Sequence, residues 1–225
     1  MERGSLFGVG VGPGDPELMT LKAVKTARSA DLIALPHKEP EKCTAWRIAL
    51  KAVPELMEKP ILPINMPMTK DPEALEKAYE NGAKLLVEQL ELGKTVCFLT
   101  LGDPTVYSTY LYLHKKVAAL GYPAHLVPGV PSFCAAAAEL GISLCENAQQ
   151  LHIIPGTYDP VSSLELSGVK VLMKNDLPQT LPYLRKMGAK AAMAENCGME
   201  NQKLYRTLEE IPEDAGYFSL LIVKD

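Results

Sequence analysis

The stretch Leu99-Thr100-Leu101-Gly102-Asp103-Pro104-Thr105-Val106-Tyr107-Ser108-Thr109 lies where one kind of element gives way to another. Just before it, Thr95-Val96-Cys97-Phe98-Leu99 is a β-branched and aromatic run between Gly93 and Gly102, which predicts a buried strand. After it, residues 106–120 carry apolar side chains at helical spacing and predict a helix, with Tyr107 and Tyr110 on one face. Gly102 allows close backbone approach, Asp103 can cap the helix or accept from a ligand, and Pro104 fixes the turn. In an open α/β sheet such a carboxyl edge is where small ligands bind. Gly-Asp-Pro alone reads more readily as an ordinary turn, so its surroundings decide.

Upstream, residues 5–11 form a first strand running into Gly12-Pro13-Gly14-Asp15-Pro16-Glu17. Asp15 is placed to cap a helix, and Leu18, Leu21, Val24 and Ala27 give that helix its apolar face. A strand, a glycine-rich loop and a helix suggest a dinucleotide site, but the fingerprint fails. Gly-x-Gly-x-x-Gly started at Gly8 meets Pro13, and started at Gly10 it meets Asp15. The second strand, 31–36, ends in Pro36 and His37 where an acidic ribose partner belongs. The loop beyond it is basic, with His37, Lys38 and Lys42, and leads to a helix over 45–51. A strand near 60–68 and a helix over 72–91 follow, with Leu75, Ala78, Leu85, Leu86 and Leu90 inward. Past the central strand, 124–127 is a fifth strand ending at Pro128-Gly129-Val130-Pro131-Ser132-Phe133, with Ser132 capping a helix over 134–140.

Five strand–helix units predict a parallel sheet. The second half differs: strands at 151–155, 169–173, 190–195, 203–205 and 217–223, with a weak helix between the first two and a helix over 180–187, predict a mixed sheet. The expected architecture is therefore two α/β domains, residues 1–128 with a mainly parallel five-stranded sheet and residues 129–225 with a mixed one.

Composition narrows the function classes. Lys and Arg number 23 against 27 Asp and Glu, a net charge of −4, so nothing favours nucleic acid as a partner. Five scattered cysteines without a Cys-x-x-Cys pair suit a reducing cytoplasm and speak against a disulfide framework or a zinc site. No run approaches the about 20 apolar residues of a membrane span, and Met1-Glu2-Arg3-Gly4 does not read as a secretory leader.

Three strand ends thus carry distinctive loops. Gly10-Val11-Gly12-Pro13-Gly14-Asp15-Pro16, the central Gly102-Asp103-Pro104, the Val127-Pro128-Gly129 turn and a late Glu195-Asn196 together resemble the tetrapyrrole (corrin/porphyrin) methyltransferase family over essentially the whole chain. The string 101–109, with Ser132-Phe133, is similar to the branch that methylates C20 of precorrin-2 or cobalt-factor II. Pro131 departs from the threonine or serine usual there. The resemblance implies the tetrapyrrole methylase fold and S-adenosylmethionine held in a cleft between the two domains. Carried over residue by residue, the cofactor meets Pro13, Leu101, Gly102, Asp103, Val106, Pro131, Ser132, Met173 and Ala192. It also implies a homodimer and a carboxylate-rich tetrapyrrole substrate, for which His37, Lys38, Arg47 and Lys174 are the candidate contacts. Asp103 and Tyr107 are catalytic candidates by position alone, and no metal ligand is expected. The alternatives are a methyltransferase of this fold for another acceptor, or a binding protein without turnover.

Overall fold

The computed structural model describes residues 3–155, 160–173 and 176–224, apart from the side chains of residues 160 and 161. The chain divides into two compact units, Met1–Pro131 and Ser132–Asp225.

The first unit runs β1 (Leu6–Gly10), α1 (Leu21–Ser29), β2 (Leu32–Leu35), α2 (Thr44–Ala52), β3 (Ile61–Pro63), α3 (Pro72–Glu91), β4 (Val96–Thr100), α4 (Tyr110–Ala119) and β5 (Ala124–Val127). Its sheet has the order β3-β2-β4-β1-β5, parallel throughout. Strand β4 is buried along its whole length, as a central parallel strand must be when helices cover both faces. Cys97 and Leu99 join one core with Val9, Val11, Ile33 and the Trp46 of α2. Val96 and Phe98 join the other with Leu6, Leu86 of α3 and Tyr110 of α4. The period of two along the strand sends alternate side chains to the two cores.

The second unit contains α5 (Ser132–Leu140), β6 (Leu151–Pro155), α6 (Pro160–Leu164), β7 (Val169–Met173), α7 (Leu177–Met187), β8 (Lys190–Glu195), β9 (Lys203–Tyr205) and β10 (Ser219–Lys224). Its sheet has the order β6-β7-β10-β8-β9. Only the β6–β7 ladder is parallel, so the sheet is mixed as the sequence suggested.

Several local expectations are corrected. Asp15 caps only a short turn, Pro16–Leu18, accepting from the Glu17 amide at 2.8 Å. Helix α1 starts separately under Thr20, whose hydroxyl accepts from the Ala23 amide at 3.1 Å. That restart changes the phase, and Leu21 is 79% exposed while Ala23 and Ala27 are buried. In α3 the buried stripe is Tyr79, Gly82, Ala83, Leu86 and Leu90, and Leu85 lies outside it. The helix expected from Val106 starts at Tyr110. Tyr107 therefore shares no helix face with Tyr110, which is fully buried while Tyr107 is exposed. Ser132 is the first residue of α5, not a cap in front of a helix at Cys134. Helix α7 begins at Leu177, under an Asp176 cap, and β10 begins at Ser219, leaving Tyr217 and Phe218 outside it.

Candidate functional site

Because β1, β4 and β5 are parallel neighbours, their carboxyl ends share one sheet edge. There three backbones touch. A Cβ on Gly10 would lie 2.4 Å from the Gly102 carbonyl oxygen and 2.7 Å from the Gly129 nitrogen. One on Gly129 would lie 2.1 Å from that same oxygen. Only glycine permits the approach. Gly102 is constrained differently: its φ of +69° is left-handed, and the space where a Cβ would project is open. Gly12 and Gly102 form an antiparallel bridge, the Gly102 amide donating to the Gly12 carbonyl at 2.8 Å.

Asp103 fastens this junction. Its Oδ2 accepts from the Gly129 amide at 3.0 Å, and its Oδ1 accepts from the Thr105 amide at 2.7 Å and from the Thr105 hydroxyl. The side chain is buried with donors on both oxygens, so it acts as a clasp between two loops. A second tie lies behind it. Thr100, buried at the end of β4, sits with its Oγ1 3.0 Å from Ser108 Oγ, and Ser108 Oγ also accepts from the Tyr110 amide at 3.3 Å. The pair spends one hydroxyl proton between its members and leaves the other to donate. Between the two ties, Tyr107 is held at φ +47°, left-handed for a non-glycine residue.

The sequence-predicted cofactor residues of the first unit therefore converge. Pro13 is buried next to the Gly12–Gly102 bridge, Leu101 and Val106 are half-buried on the same loop, and Pro131 follows two residues after Gly129. In the second unit Ser132 opens α5 and Met173 ends β7. Ala192 is buried within β8, opposite Ile222 of β10, while Met173 faces Leu220. Lys174 lies outside the described residues.

The loop after β2 carries His37, Lys38 and, on α2, the exposed Arg47. The Glu39 amide donates to His37 Nδ1 at 2.9 Å. Lys42 pairs with Glu39 at 2.7 Å, and their hydrogen bond holds the Glu39 carboxyl below its ordinary range and Lys42 above its own.

Sequence reasoning missed three features. The Gly10–Gly129 contact and the Thr100–Ser108 pair join residues whose partners no local pattern announces. Glu195 was seen only as part of a motif. It is 6% exposed, accepting from the Gly216 amide at 2.8 Å and the Tyr205 hydroxyl at 3.3 Å, and so ties the end of β8 to the segment entering β10. Among the described residues, no group of three or more His, Cys, Asp or Glu side chains is placed to hold a metal ion, and no helix is long and apolar enough to cross a membrane.

Residues 5–212 match the family described as Tetrapyrrole (Corrin/Porphyrin) Methylases. The chain is 34% identical to the probable cobalt-precorrin-2 C(20)-methyltransferase of Methanocaldococcus jannaschii, over 97% of this chain and 95% of that protein. It is 31% identical to the precorrin-2 C(20)-methyltransferase of a Sinorhizobium species, over 98% and 95% respectively. Among solved structures, it is similar to a cobalt precorrin-4 methyltransferase with a TM-score of 0.74 at 16% identity, covering 98% of this chain and 94% of that one. The uroporphyrin-III C-methyl transferase of Thermus thermophilus complexed with S-adenyl homocysteine gives a TM-score of 0.69 at 21% identity, with coverages of 99% and 98%. Those two share the fold.

Proposed function

The chain belongs to the tetrapyrrole (corrin/porphyrin) methylase family, and from that premise we propose that it methylates C20 of precorrin-2 or of its cobalt-bearing counterpart, using S-adenosylmethionine, in cobalamin biosynthesis. The observation that carries this reading is the likeness, over nearly the full chain, to two relatives named for that reaction, in a chain whose 101–109 string resembles the same branch.

The residues at the sheet edge fit such a cofactor. Gly102 opens onto free space, the Thr100–Ser108 pair retains a hydroxyl donor, and Leu101 and Val106 supply half-buried apolar surface. We propose that Pro13, Leu101, Gly102, Val106, Pro131, Ser132, Met173 and Ala192 hold it, with Asp103 acting through the loops it fastens. When bound, S-adenosylmethionine supplies an electrophilic methyl group on a sulfonium. The acceptor is an electron-rich meso carbon, so the substrate brings most of the nucleophilicity. The protein's task is alignment of carbon, methyl and sulfur, and exclusion of water. A junction of touching backbones suits that task, because it cannot relax by rotating a side chain. His37, Lys38 and Arg47 are the proposed contacts for substrate carboxylates.

The test is methyl transfer from labelled S-adenosylmethionine, under strict anaerobiosis, to metal-free precorrin-2 and cobalt-factor II in parallel. One added methyl, placed at C20 by NMR, is the expected product, and the preferred acceptor fixes whether cobalt enters before this step. No transfer to either acceptor, with cofactor binding intact, overturns the reading. The scattered cysteines lead us to propose a cytoplasmic protein, and the resemblance a homodimer, for which sedimentation at twice the monomer mass is the expected result.

A further inference from the structure

We infer that His37 and Lys38 form a subsite for one substrate carboxylate, in which His37 acts through an Nε2–H donor and not as a base. The inference rests on the functional reading above.

Strand β2 lies beside β4 in parallel register, with Ala34 opposite Phe98. His37 follows two residues after the end of β2, at the same carboxyl edge of the sheet as the loop that Asp103 fastens. The backbone on either side is held: the Leu35 carbonyl accepts from the Ile64 amide at 2.8 Å, and the Pro40–Lys42 turn closes with the Cys43 amide on the Pro40 carbonyl at 2.9 Å.

The hydrogen bond inside this loop fixes the chemistry of the ring. The Glu39 amide donates to His37 Nδ1 at 2.9 Å. A nitrogen that accepts a hydrogen bond carries no proton, so the ring's single proton is on Nε2. Nε2 has no hydrogen-bond partner among the described residues. A base would need its lone pair where this proton sits, so the ring offers a donor.

The neighbouring charges favour an anion. Lys42 is committed to Glu39, which balances the carboxylate of the residue whose backbone amide meets the ring. Lys38 is exposed, and its ammonium has no carboxylate partner among the described residues. An N–H directed at a carboxylate oxygen, with an ammonium alongside, is a charge-assisted pairing. The ligand class is a flexible carboxylate arm, of which the proposed tetrapyrrole carries several. The two residues divide the work: the Lys38 contribution is that of a full charge and is screened by salt, and that of the Nε2–H donor is a directed hydrogen bond.

The experiment is a fluorescence titration of the full-length protein, saturated with S-adenosylhomocysteine, using uroporphyrin III (a stable octacarboxylate) and its octamethyl ester. The wild type is expected to bind the acid at least tenfold more tightly than the ester. His37→Phe should weaken binding of the acid about tenfold, in line with loss of a hydrogen bond to a charged group, and leave the ester unchanged. His37→Gln, whose amide N–H reaches near the Nε2 position, should stay within about threefold of wild type. Lys38→Met should flatten the salt dependence, and His37→Phe should not. Unchanged affinity for S-adenosylhomocysteine in each variant reports an intact fold. A Gln variant as weak as the Phe variant overturns the donor role. A Phe variant that flattens the salt dependence as Lys38→Met does shows that the ring binds as a cation, and also overturns it. A wild type that methylates its acceptor while His37→Phe leaves both porphyrin affinity and KM untouched overturns the subsite alone. A wild type that neither binds the acid nor methylates any tetrapyrrole overturns the functional reading.

Discussion

Asp103 shows how far one residue can be read without its neighbours. Its place after a strand and before a proline suggested a cap, a ligand acceptor or a base. Its partner at Gly129 lies 26 residues away and comes near only through the sheet. Replacing it by Leu leaves the Gly129 amide, the Thr105 amide and the Thr105 hydroxyl without an acceptor. We expect Asp103→Leu to abolish binding of S-adenosylhomocysteine in calorimetry. We expect Asp103→Asn to cost about 1–3 kcal/mol in urea denaturation, since its amide group turns a donor toward a donor. Unchanged cofactor affinity in Asp103→Leu would remove the clasp from the site. Tyr107 gives a second test. A left-handed φ costs a non-glycine residue about 1–2 kcal/mol, least for Asn and most for β-branched side chains. Tyr107→Val should therefore be about 1–2 kcal/mol less stable than Tyr107→Asn, a difference read from their denaturation midpoints.

Among the elements, Gly8 and Tyr110 set the fit between β1 and α4. A Cβ on Gly8 would lie 1.9 Å from Tyr110 Cε1, and the ring is held by its hydroxyl, which donates to the His125 carbonyl at 3.3 Å and lies 3.2 Å from His114 Nδ1. Gly8→Ala should cost about 1–3 kcal/mol as an overpacked core. Combined with Tyr110→Leu, the cost should fall below the sum of the two single changes, and strict additivity would show that the two side chains do not compete for space. At this scale the sequence was legible in order and type. Hydrophobic periodicity found the five parallel strands and the mixed sheet that follows. It failed in phase. Leu21 was placed inward because its helix face was counted from an assumed start, and Thr20 restarts α1 where no break was expected; Leu85, in a helix whose bounds were read correctly, lies just outside a stripe that runs through Gly82, Leu86 and Leu90. The start of α4 was misjudged because the Asp103 and Ser108 ties keep residues 103–109 out of the helix, and neither tie has a periodic signal.

For the molecule as a whole, strand order was the part that stayed hidden. Local pattern says that strands exist, but not that β1 lies between β4 and β5, and that insertion is what makes Gly10, Gly102 and Gly129 meet. The chemistry of the site was legible as a set of loops, and its geometry was not. Global stability should also respond to pH through His114. Burial, and to a lesser degree His125, hold its pKa below the ordinary imidazole value. The unfolded chain takes up a proton near pH 6.5, whereas the folded chain resists until the pH is lower. The stability associated with this residue is therefore complete above about pH 6.5 and is lost as the pH falls through the folded-state value. Unfolding free energies measured between pH 7.5 and 5 should decline with acidity, and His114→Gln should decline less. Equal slopes would clear His114 of the effect.

The touching glycines also bear on heredity. Every missense change one base away from a glycine codon installs a side chain. At Gly10 and Gly129 that side chain would meet backbone, which has no rotamer to yield. A saturation library selected for cofactor binding should keep only synonymous codons at those two positions. The junction has no neighbouring genotype through which to drift, so lineages that keep the fold's binding edge inherit it unchanged or lose it in a single step.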